Sequence, residues 1–439
     1  MAHSITAAVQ QIKDELHEHL TPADIYAACQ AAGHQWRERV LDPALTVHAL
    51  LLQLLHGTAM AGVSRLTGVV FSASAYCQAL QRLPVAVLRR LLHDRVQRQR
   101  QKTTVHAMWH SHRVFFVDGS SCSMADKPKL QRHFGQPTEQ KAGCGFPTAH
   151  LLAMFDAYSG MLVEVLMSTW RMHDMTRVHE LHPHLQAGDV LVGDRAFGTY
   201  THLALLLRRG VHAVFRVHQC RKVSFRQQQH DWGGVTWPVK LGHQDQLTIW
   251  RKTGVAARTM SRAAYDALPE MLVVRELRYR IRRRGYRTRT VTLVTTLLDA
   301  ERYPQAELAD LYYRRWQAEV NLRDLKDTLG LRVLRAQTVA GVEREVLALA
   351  LLYNLLCAVR TVIAVHLETE PVRVSVIDVV RLLCFGLDRV VDATIVINPD
   401  RPGRVQPRVV KRRPLGYSRM TRPREALKRE LLENGWGVT

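Results

Sequence analysis

The order of strand-like and helix-like segments between residues 113 and 217 constrains the fold of this chain most. A short apolar strand pattern runs into an aspartate and a Gly/Ser turn, two further apolar runs flank a second turn, and helix and strand patterns then alternate. Three strands in a meander followed by this alternation predict an α/β domain built on one sheet. In chain order the segments are strand 113–117, a hairpin over 148–170, helix 174–188, strand 189–193, helix 199–210 and strand 211–217.

The region before this core is predicted to be helical throughout. Residues 1–105 contain two short helices over 58–84, of helix-turn-helix size, and end in a basic helix over 85–102. We predict a helical N-terminal DNA-binding domain. The arginines of the basic helix are equally compatible with a solvated face and with contacts to phosphate.

The regions after the core are also basic. Residues 218–290 are polar and rich in strand formers, and eight arginines lie between Arg275 and Arg289 on a predicted hairpin. These arginines favour a surface that tracks phosphates, with protection of a sheet edge as the alternative. The tail 401–439 holds eleven Lys and Arg against three acids and is predicted to be extended or weakly ordered. The predicted regions are a helical N-terminal domain (1–105), a catalytic domain (106–217 with 291–366), a β-rich insertion (218–290) and a helical C-terminal region with a basic tail (367–439).

The charge of the chain points to an anionic partner. Its 439 residues include 61 Lys and Arg against 39 Asp and Glu, a net charge of +22, which favours a polyanion such as nucleic acid. No apolar run is expected to reach the ~18 residues that span a bilayer, and the most apolar stretch, 344–359, is predicted to be a buried helix. The N-terminus lacks a signal-peptide core, so we expect a cytoplasmic protein. Seven scattered cysteines without a C-x-x-C pair argue against a zinc ribbon and a disulfide scaffold.

Two aspartates stand where an α/β sheet usually places functional groups. Asp118 is predicted at the end of the first strand, and Asp194 at the end of a later buried strand. Carboxylates at strand ends face the usual functional edge of such a sheet, although aspartate is also a common turn former. Simpler roles are predicted for four other acids, namely a surface loop for Asp126, a turn for Asp156, the outward face of a strand for Glu164 and a helix cap for Asp174.

A predicted helix over 305–330 carries a narrow polar stripe. At 100° per residue, Arg315, Glu319 and Lys326 lie roughly 60°, 20° and 40° from Tyr312, all on the same side. A carboxylate flanked by two cations suits a metal ion and the phosphate on which it acts. For this helix alone, an exposed salt-bridged face is the alternative interpretation.

These motifs together resemble a known family, the bacterial DDE transposases of insertion sequences, and within it the "insertion sequence four" family. Tyr312, Arg315, Glu319 and Lys326 match its Y-x2-R-x3-E-x6-K signature at every position. The stretch 117-VDGS-120 matches the first aspartate block. The stretch 193-GDRAFG-198 matches the second, with Ala196 in place of the usual glycine. The resemblance covers about residues 110–360.

The resemblance implies a fold and a set of roles. It implies a ribonuclease-H-like catalytic core with a β-rich insertion, in which Asp118, Asp194 and Glu319 bind two Mg²⁺ (or Mn²⁺) ions for in-line phosphoryl transfer. Arg315 and Tyr312 would hold the phosphate near the cleaved end, and Lys326 would contact the terminal DNA. Arg195 is a further candidate for binding DNA.

The implied reaction is cleavage of double-stranded DNA at the terminal inverted repeats of an insertion sequence, followed by strand transfer into target DNA. A homodimer is expected in the DNA-bound synaptic complex. Some relatives cut the second strand through a hairpin and stack a flipped base on a tryptophan. Trp232, Trp237 and Trp250 are candidates for that role, but each is more simply explained as a core residue. The alternatives are a ribonuclease-H-like nuclease without strand transfer and a non-catalytic, domesticated DNA-binding relative.

Overall fold

A computed structural model describes most of the chain. The residues that it describes are 19–101, 107–138, 141, 143–172, 174–226, 230–232, 235–253, 260–281, 290–385, 395–398 and 422–434.

A mixed sheet of ten strands forms the centre of the protein. Its order is β3-β2-β1-β4-β5-β11-β10-β9-β8, and the short β12 pairs with β1. β3, β2 and β1 are antiparallel neighbours, whereas β1, β4 and β5 run parallel. The mixed α/β architecture predicted from the sequence is therefore confirmed. The strands are β1 Val114–Met124, β2 Thr148–Asp156, β3 Leu162–Thr169, β4 Val190–Gly193, β5 His212–Arg216, β8 Val239–Gly242, β9 Asp245–Arg251, β10 Met271–Arg280, β11 Thr290–Thr295 and β12 Val333–Leu334, with β6 His230–Trp232 and β7 Val235–Trp237 forming a separate pair.

Helices precede, interrupt and follow this sheet. Local sequence signals mark the ends of the first two helices: Thr21 and Asp24 form a reciprocal capping box at the start of the first, and Gly57 ends the second with a φ of 61°. The helices are α1 Pro22–Ala31, α2 Pro43–His56, α3 Val63–Thr67, α4 Ala73–Arg82, α5 Val85–Gln101, α6 Pro128–Phe134, α7 Asp174–Arg177, α8 Tyr200–Leu207, α9 Arg262–Asp266, α10 Gln305–Arg314, α11 Trp316–Arg323, α12 Val339–His366, α13 Val376–Phe385 and α14 Arg424–Glu433; shorter 3₁₀ turns cover Met60–Gly62, Val178–His184 and Pro371–Arg373.

The long helix α12 joins the N-terminal helices to the sheet. It packs against α5 and β3, and one apolar core runs from the first helices through α12 to the sheet. By length and composition α12 could cross a bilayer, yet 89% of its most apolar window is buried inside the protein. The predicted buried helix over 344–359 is confirmed. The expectation that no run reaches spanning length is too strict, and the bent pair of α2 with 60–67 also meets that test.

The first strand is longer than the sequence predicts. The pattern places its end at Asp118, whereas β1 continues to Met124. The reason is pairing, because residues 119–123 lie opposite 148–152 of β2 and the last two residues of β1 pair with β12. Asp118 therefore lies inside a strand, and Gly119 and Ser120 do not form the predicted turn.

The insertion over 218–290 continues the same sheet. β10 pairs with β11 as the predicted hairpin, and β11 pairs in turn with β5. Arg275 does not join the predicted basic surface, because it is fully buried and forms an ion pair with Asp245. Residues 282–289, which carry five of the eight arginines, lie outside the described part. The division into four regions stays a prediction.

Several arginines of the basic helix α5 have partners within the protein, since Arg89 pairs with Glu164, Arg98 with Asp24, and Arg100 donates to the carbonyl of His184. The side chains of Arg89 and Arg98 are still 41% and 40% exposed, so a solvated face and contacts to phosphate both stay predictions. The tail is not wholly extended, because residues 424–433 form α14. Its R-E-A-L-K-R-E-L-L-E sequence consists of strong helix formers, which explains the helix.

Candidate active site

Two neighbouring parallel strands bring the predicted aspartates together. Val117 of β1 and Gly193 of β4 are register partners; Asp118 is the next residue of β1, and Asp194 directly follows the end of β4. Their carboxylates therefore leave adjacent strands at the same level of the sheet. This juxtaposition depends on parallel pairing between segments more than 70 residues apart, which the spacing of the motifs alone does not specify.

The turn after β4 holds Asp194 in place. Its Oδ1 accepts the backbone N–H of Ala196 at 2.8 Å. A side chain at Gly193 would come within 2.8 Å of the Phe197 ring, and one at Gly198 within 2.8 Å of the Arg216 carbonyl oxygen, so both glycines are required by close packing. The φ angle of Ala196 is not positive, so the backbone there does not require glycine, and alanine can stand in place of the usual glycine.

The predicted helix over 305–330 is divided at the arginine of the stripe. α10 ends at Arg314, α11 begins at Trp316, and residues 324–328 form a π-helical turn. Arg315 stands at the junction, where its Nη2 donates to Oε1 of Glu319 at 2.8 Å. Its Nη1 donates to Oδ2 of Asp118 at 3.5 Å. One guanidinium therefore links the acid on the helix to the acid on the first strand.

The electrostatics of these side chains are coupled. Burial raises the pKa of Asp118 to about 6; Arg315 opposes that rise, and the charges of Glu319 and Asp194 add to it. Burial also raises the pKa of Tyr312, against the influence of Arg315 and Arg216, and Asp194 raises it further. The guanidinium of Arg315 lies 5.8 Å from the centre of the Tyr312 ring. The phenol, the guanidinium and the three acids thus form one cluster.

The two remaining cationic candidates occupy different places. Lys326 donates from Nζ to Oγ of Ser120 at 3.0 Å, and Ser120 lies two residues after Asp118, on the same face of β1. Burial lowers the pKa of Lys326. Arg195 is exposed and donates to Oε1 of Gln219 at 2.8 Å, so it lies at the rim of the cluster.

The sequence interpretation missed two residues at this site. The sequence pattern assigns Ser120 to a turn. If the alternation of strand residues is continued past Asp118, Ser120 lies on the same face of β1 as Asp118, which is where Lys326 contacts it. Arg216 ends β5, the next parallel strand, and its charge influences Tyr312. A basic residue at the end of a parallel strand was the available signal.

The other predicted roles have mixed outcomes. Asp156 forms the predicted turn, because its Oδ1 accepts the backbone N–H of Ser159 at 2.7 Å. Glu164 does not face outward: its side chain is 3% exposed and lies under α5. Trp237 and Trp250 are buried, as expected of core residues. Asp126 forms an ion pair with Arg424, and the side chains of Asp174 and Trp232 lie outside the described part of the chain.

The three acids suit a divalent cation. Carboxylate oxygens are the ligands that Mg²⁺ and Mn²⁺ prefer, and the raised pKa of the buried Asp118 indicates a carboxylate that needs more positive charge nearby. The acid oxygens do not all lie within 4.8 Å of one another. Arg315 lies against two of the acids, and a cation that joined them would have to displace its guanidinium.

Known proteins with similar sequences are transposases. A family model described as "Transposase DDE domain" matches residues 109–355. "Transposase InsG for insertion sequence element IS4" of Escherichia coli (strain K12) is 23% identical over 363 residues, which cover 78% of this chain and 77% of that protein. "Putative transposase InsZ" of the same strain is 23% identical over 142 residues, which cover 32% of this chain and 48% of that protein.

Among solved structures, a piggyBac transposase synaptic complex with hairpin DNA aligns over 86% of this chain and 80% of its own. The TM-score is 0.42 and the identity 8%, so the assignment rests on the sequence matches. The family model spans more than half of the 439 residues. The protein therefore belongs to the transposases with a DDE domain, enzymes that cleave DNA and transfer its strands.

Proposed function

We propose that Asp118, Asp194 and Glu319 are the three catalytic acids of this transposase. The observation that carries the proposal is the adjacency of Asp118 and Asp194 on parallel strands, with Arg315 linking Asp118 to Glu319. We further propose that β3-β2-β1-β4-β5 is a ribonuclease-H-like core. Three antiparallel strands followed by two parallel additions, with acids on the two central parallel strands, support that assignment.

The same three acids would hold two Mg²⁺ or Mn²⁺ ions. Bound ions would activate water and then a 3′-hydroxyl, and would neutralise the leaving oxygen of an in-line phosphoryl transfer. The contributions of the protein are the ionised carboxylates and their fixed spacing. Asp118 is held by the β1 ladder and Asp194 by its turn, whereas Glu319 lies on a helix that begins at the Arg315 junction.

The remaining residues of the stripe would bind the DNA end. Arg315 is presented at the break between α10 and α11, where its planar fork can bind two phosphate oxygens once it leaves the acids. Tyr312 would offer its hydroxyl to the same phosphate. Lys326 would contact the terminal DNA two turns further along, and Arg195 would contact the backbone from the rim.

The substrates would be the terminal inverted repeats of the element that encodes this chain, together with target DNA. A net charge of +22 supports binding to double-stranded DNA, and the N-terminal helices would contribute to end recognition. Joining two ends calls for a homodimer in the synaptic complex. We place the protein in the bacterial cytoplasm, on the nucleoid when it is bound to DNA.

A strand-transfer assay with the ends of the element and Mg²⁺ tests the proposal. Asp118→Asn, Asp194→Asn and Glu319→Gln should each abolish cleavage and leave binding of the ends intact. Asp310→Asn is the matched control, since this exposed acid lies on α10, the neighbouring helix. Cleavage by Glu319→Gln at the wild-type rate would show that the assignment of the third acid is wrong.

The same assay separates the less favoured alternatives. A nuclease without strand transfer would cut the ends and leave them unjoined, and a non-catalytic relative would bind without cutting. The family assignment favours neither.

A further inference from the structure

A second cluster of potential metal ligands lies at the far edge of the sheet. Glu164 of β3 is 3% exposed, and its carboxylate meets two histidines from other segments, His93 of α5 and His184 at the end of the 178–184 turn. The three ligand atoms lie within 4.8 Å of one another. β3 is separated from β1 by β2, so this cluster does not belong to the acids described above.

The two oxygens of Glu164 have different partners. Oε1 accepts from Nη1 of Arg89 at 2.9 Å and from the backbone N–H of Val165 at 2.8 Å. Oε2 faces both imidazoles, with Nε2 of His93 at 2.8 Å and Nε2 of His184 at 3.2 Å. Arg89 thus offsets part of the charge of the carboxylate and leaves Oε2 beside the two ring nitrogens.

The hydrogen bonds from the two histidines favour the ionised form of this carboxylate. Burial alone would raise the pKa of Glu164, but the hydrogen bonds from His184 and His93 outweigh it and hold the pKa well below its usual range. The imidazoles lie 4.9 Å apart, centre to centre, with their planes inclined by 55°. An ionised carboxylate and two non-parallel imidazoles in such proximity are the ligand types of zinc sites.

The distances suit a small tetrahedral ion after a slight expansion. Ligands about 2.0–2.1 Å from Zn²⁺ in tetrahedral geometry are about 3.3 Å from one another. The observed separations of 2.8 and 3.2 Å from Oε2 therefore need to widen by about 0.1–0.5 Å. The histidine side chains are 30% and 23% exposed, so they can rotate and an ion can enter from solvent.

We propose that His93, Glu164 and His184 bind one transition-metal ion of the Zn²⁺ class. Each ring would release to solvent the Nε2 proton that it donates to Glu164, carry a proton on Nδ1 and coordinate through Nε2, while Glu164 would coordinate through Oε2. Three protein ligands leave a fourth position for water. The ion would join helix α5 of the N-terminal region to the edge strand β3 and to the 178–184 turn, and so fix the N-terminal helices against the catalytic sheet.

The test uses the full-length chain, stripped of metal with a chelator and then titrated with Zn²⁺ by calorimetry. Metal content after dialysis gives the stoichiometry, and Co²⁺ serves as a spectroscopic probe, because its visible absorption reports tetrahedral nitrogen and oxygen ligation. We expect one site in the wild-type chain. His184→Gln, which retains a hydrogen-bond donor toward Glu164, should weaken Zn²⁺ binding by roughly a hundredfold or more and remove the Co²⁺ band.

Two control variants make the result specific. His179→Ala removes an exposed histidine from the same 3₁₀ turn and should leave the site intact. Asp118→Asn disables the catalytic cluster and should also retain one Zn²⁺. If His184→Gln fails to fold, His93→Gln provides the same comparison on another element.

The outcomes are distinct. Equal Zn²⁺ affinity in the wild-type chain and in a folded His184→Gln or His93→Gln variant would overturn the proposal. Loss of the site in Asp118→Asn alone would assign the ion to the catalytic acids instead. Neither result depends on transposition activity, so failure of this proposal leaves the proposed function intact.

Discussion

Replacing Arg315 by alanine should tighten the binding of Mn²⁺ to the DNA-free protein while impairing cleavage. In the structure this guanidinium lies where a cation shared by Asp118 and Glu319 would compete with it. A metal ion that joins these acids must displace Arg315, so removal of its charge eliminates a competitor. The opposite expectation holds if the arginine merely keeps the acids in place.

The magnitude follows from the two contacts. Glu319 is 56% exposed, so its pair with Arg315 contributes only about 0.5 kcal/mol. Asp118 and Arg315 are 18% and 16% exposed and 3.5 Å apart, which gives a larger attraction of about 1–1.5 kcal/mol after desolvation. The sum is about 1.5–2 kcal/mol, the equivalent of about a 10- to 30-fold change in affinity. Mn²⁺ should therefore bind roughly 10- to 30-fold more tightly to Arg315→Ala.

Electron paramagnetic resonance of free Mn²⁺ measures this affinity directly. The measurement is made in chains that also carry His184→Gln, so that Mn²⁺ does not bind at the proposed site of His93, Glu164 and His184. Arg314→Ala is the matched control: it removes a neighbouring arginine that pairs with Glu370 at 3.2 Å, and it should leave Mn²⁺ affinity unchanged. Cleavage by Arg315→Ala should fall about 10- to 100-fold, because charged hydrogen bonds to the phosphate are lost. Unchanged or weaker Mn²⁺ binding in Arg315→Ala would refute the competition.

Three stability predictions concern the scaffold. Asp24→Asn should lower the free energy of unfolding by about 1 kcal/mol at pH 7; the value is small because Arg98 is 40% exposed and solvent weakens the ion pair. The hydrogen bond from Arg98 lowers the pKa of Asp24 to about 2. In denaturant titrations the difference from wild type should therefore vanish as the pH falls from 4 through 2. Gly198→Ala should cost about 1–3 kcal/mol by calorimetry, whereas Gly242→Ala, with no atom closer than 4.0 Å, should cost less, and equal losses would contradict the packing argument. Arg275→Met should cost about 3–5 kcal/mol by leaving a buried carboxylate unpaired, and a neutral result in denaturant titrations would show that this ion pair is dispensable.

The sequence was sufficient for the parts of the site that depend on local pattern. The spacing of Tyr312, Arg315 and Glu319 predicted that these three side chains lie close together, and the end of β4 at Gly193, directly before Asp194, followed from an apolar run that stops there. The mixed α/β class followed from the order of elements. These features depend only on residues that lie close together in the sequence.

The parts that depend on distant partners could not be predicted in the same way. The length of β1 beyond Asp118 comes from pairing with β2, and the break at Arg315 accompanies contacts of its side chain with two acids. Glu164 is the one charged residue in the apolar run 161–167, which favours an outward position, and its burial results from α5 packing over the strand. Arg275 belongs to a run of arginines that resembles a DNA-binding surface, yet it pairs with Asp245 of the protein itself. The two residues lie 30 positions apart, and amino-acid composition does not predict such a pairing.

The insertion and the strands that carry the candidate acids share one sheet, which limits what a deletion of the insertion can reveal about this enzyme. Six register pairs between β11 and β10 lead from the rest of the sheet into the insertion. A shortened chain without 218–290 would turn β11 into an uncovered edge, whose outer N–H and C=O groups would seek another strand and promote self-association. The insertion is thus not a detachable module, and loss of activity on its deletion would not by itself reveal a role in handling DNA.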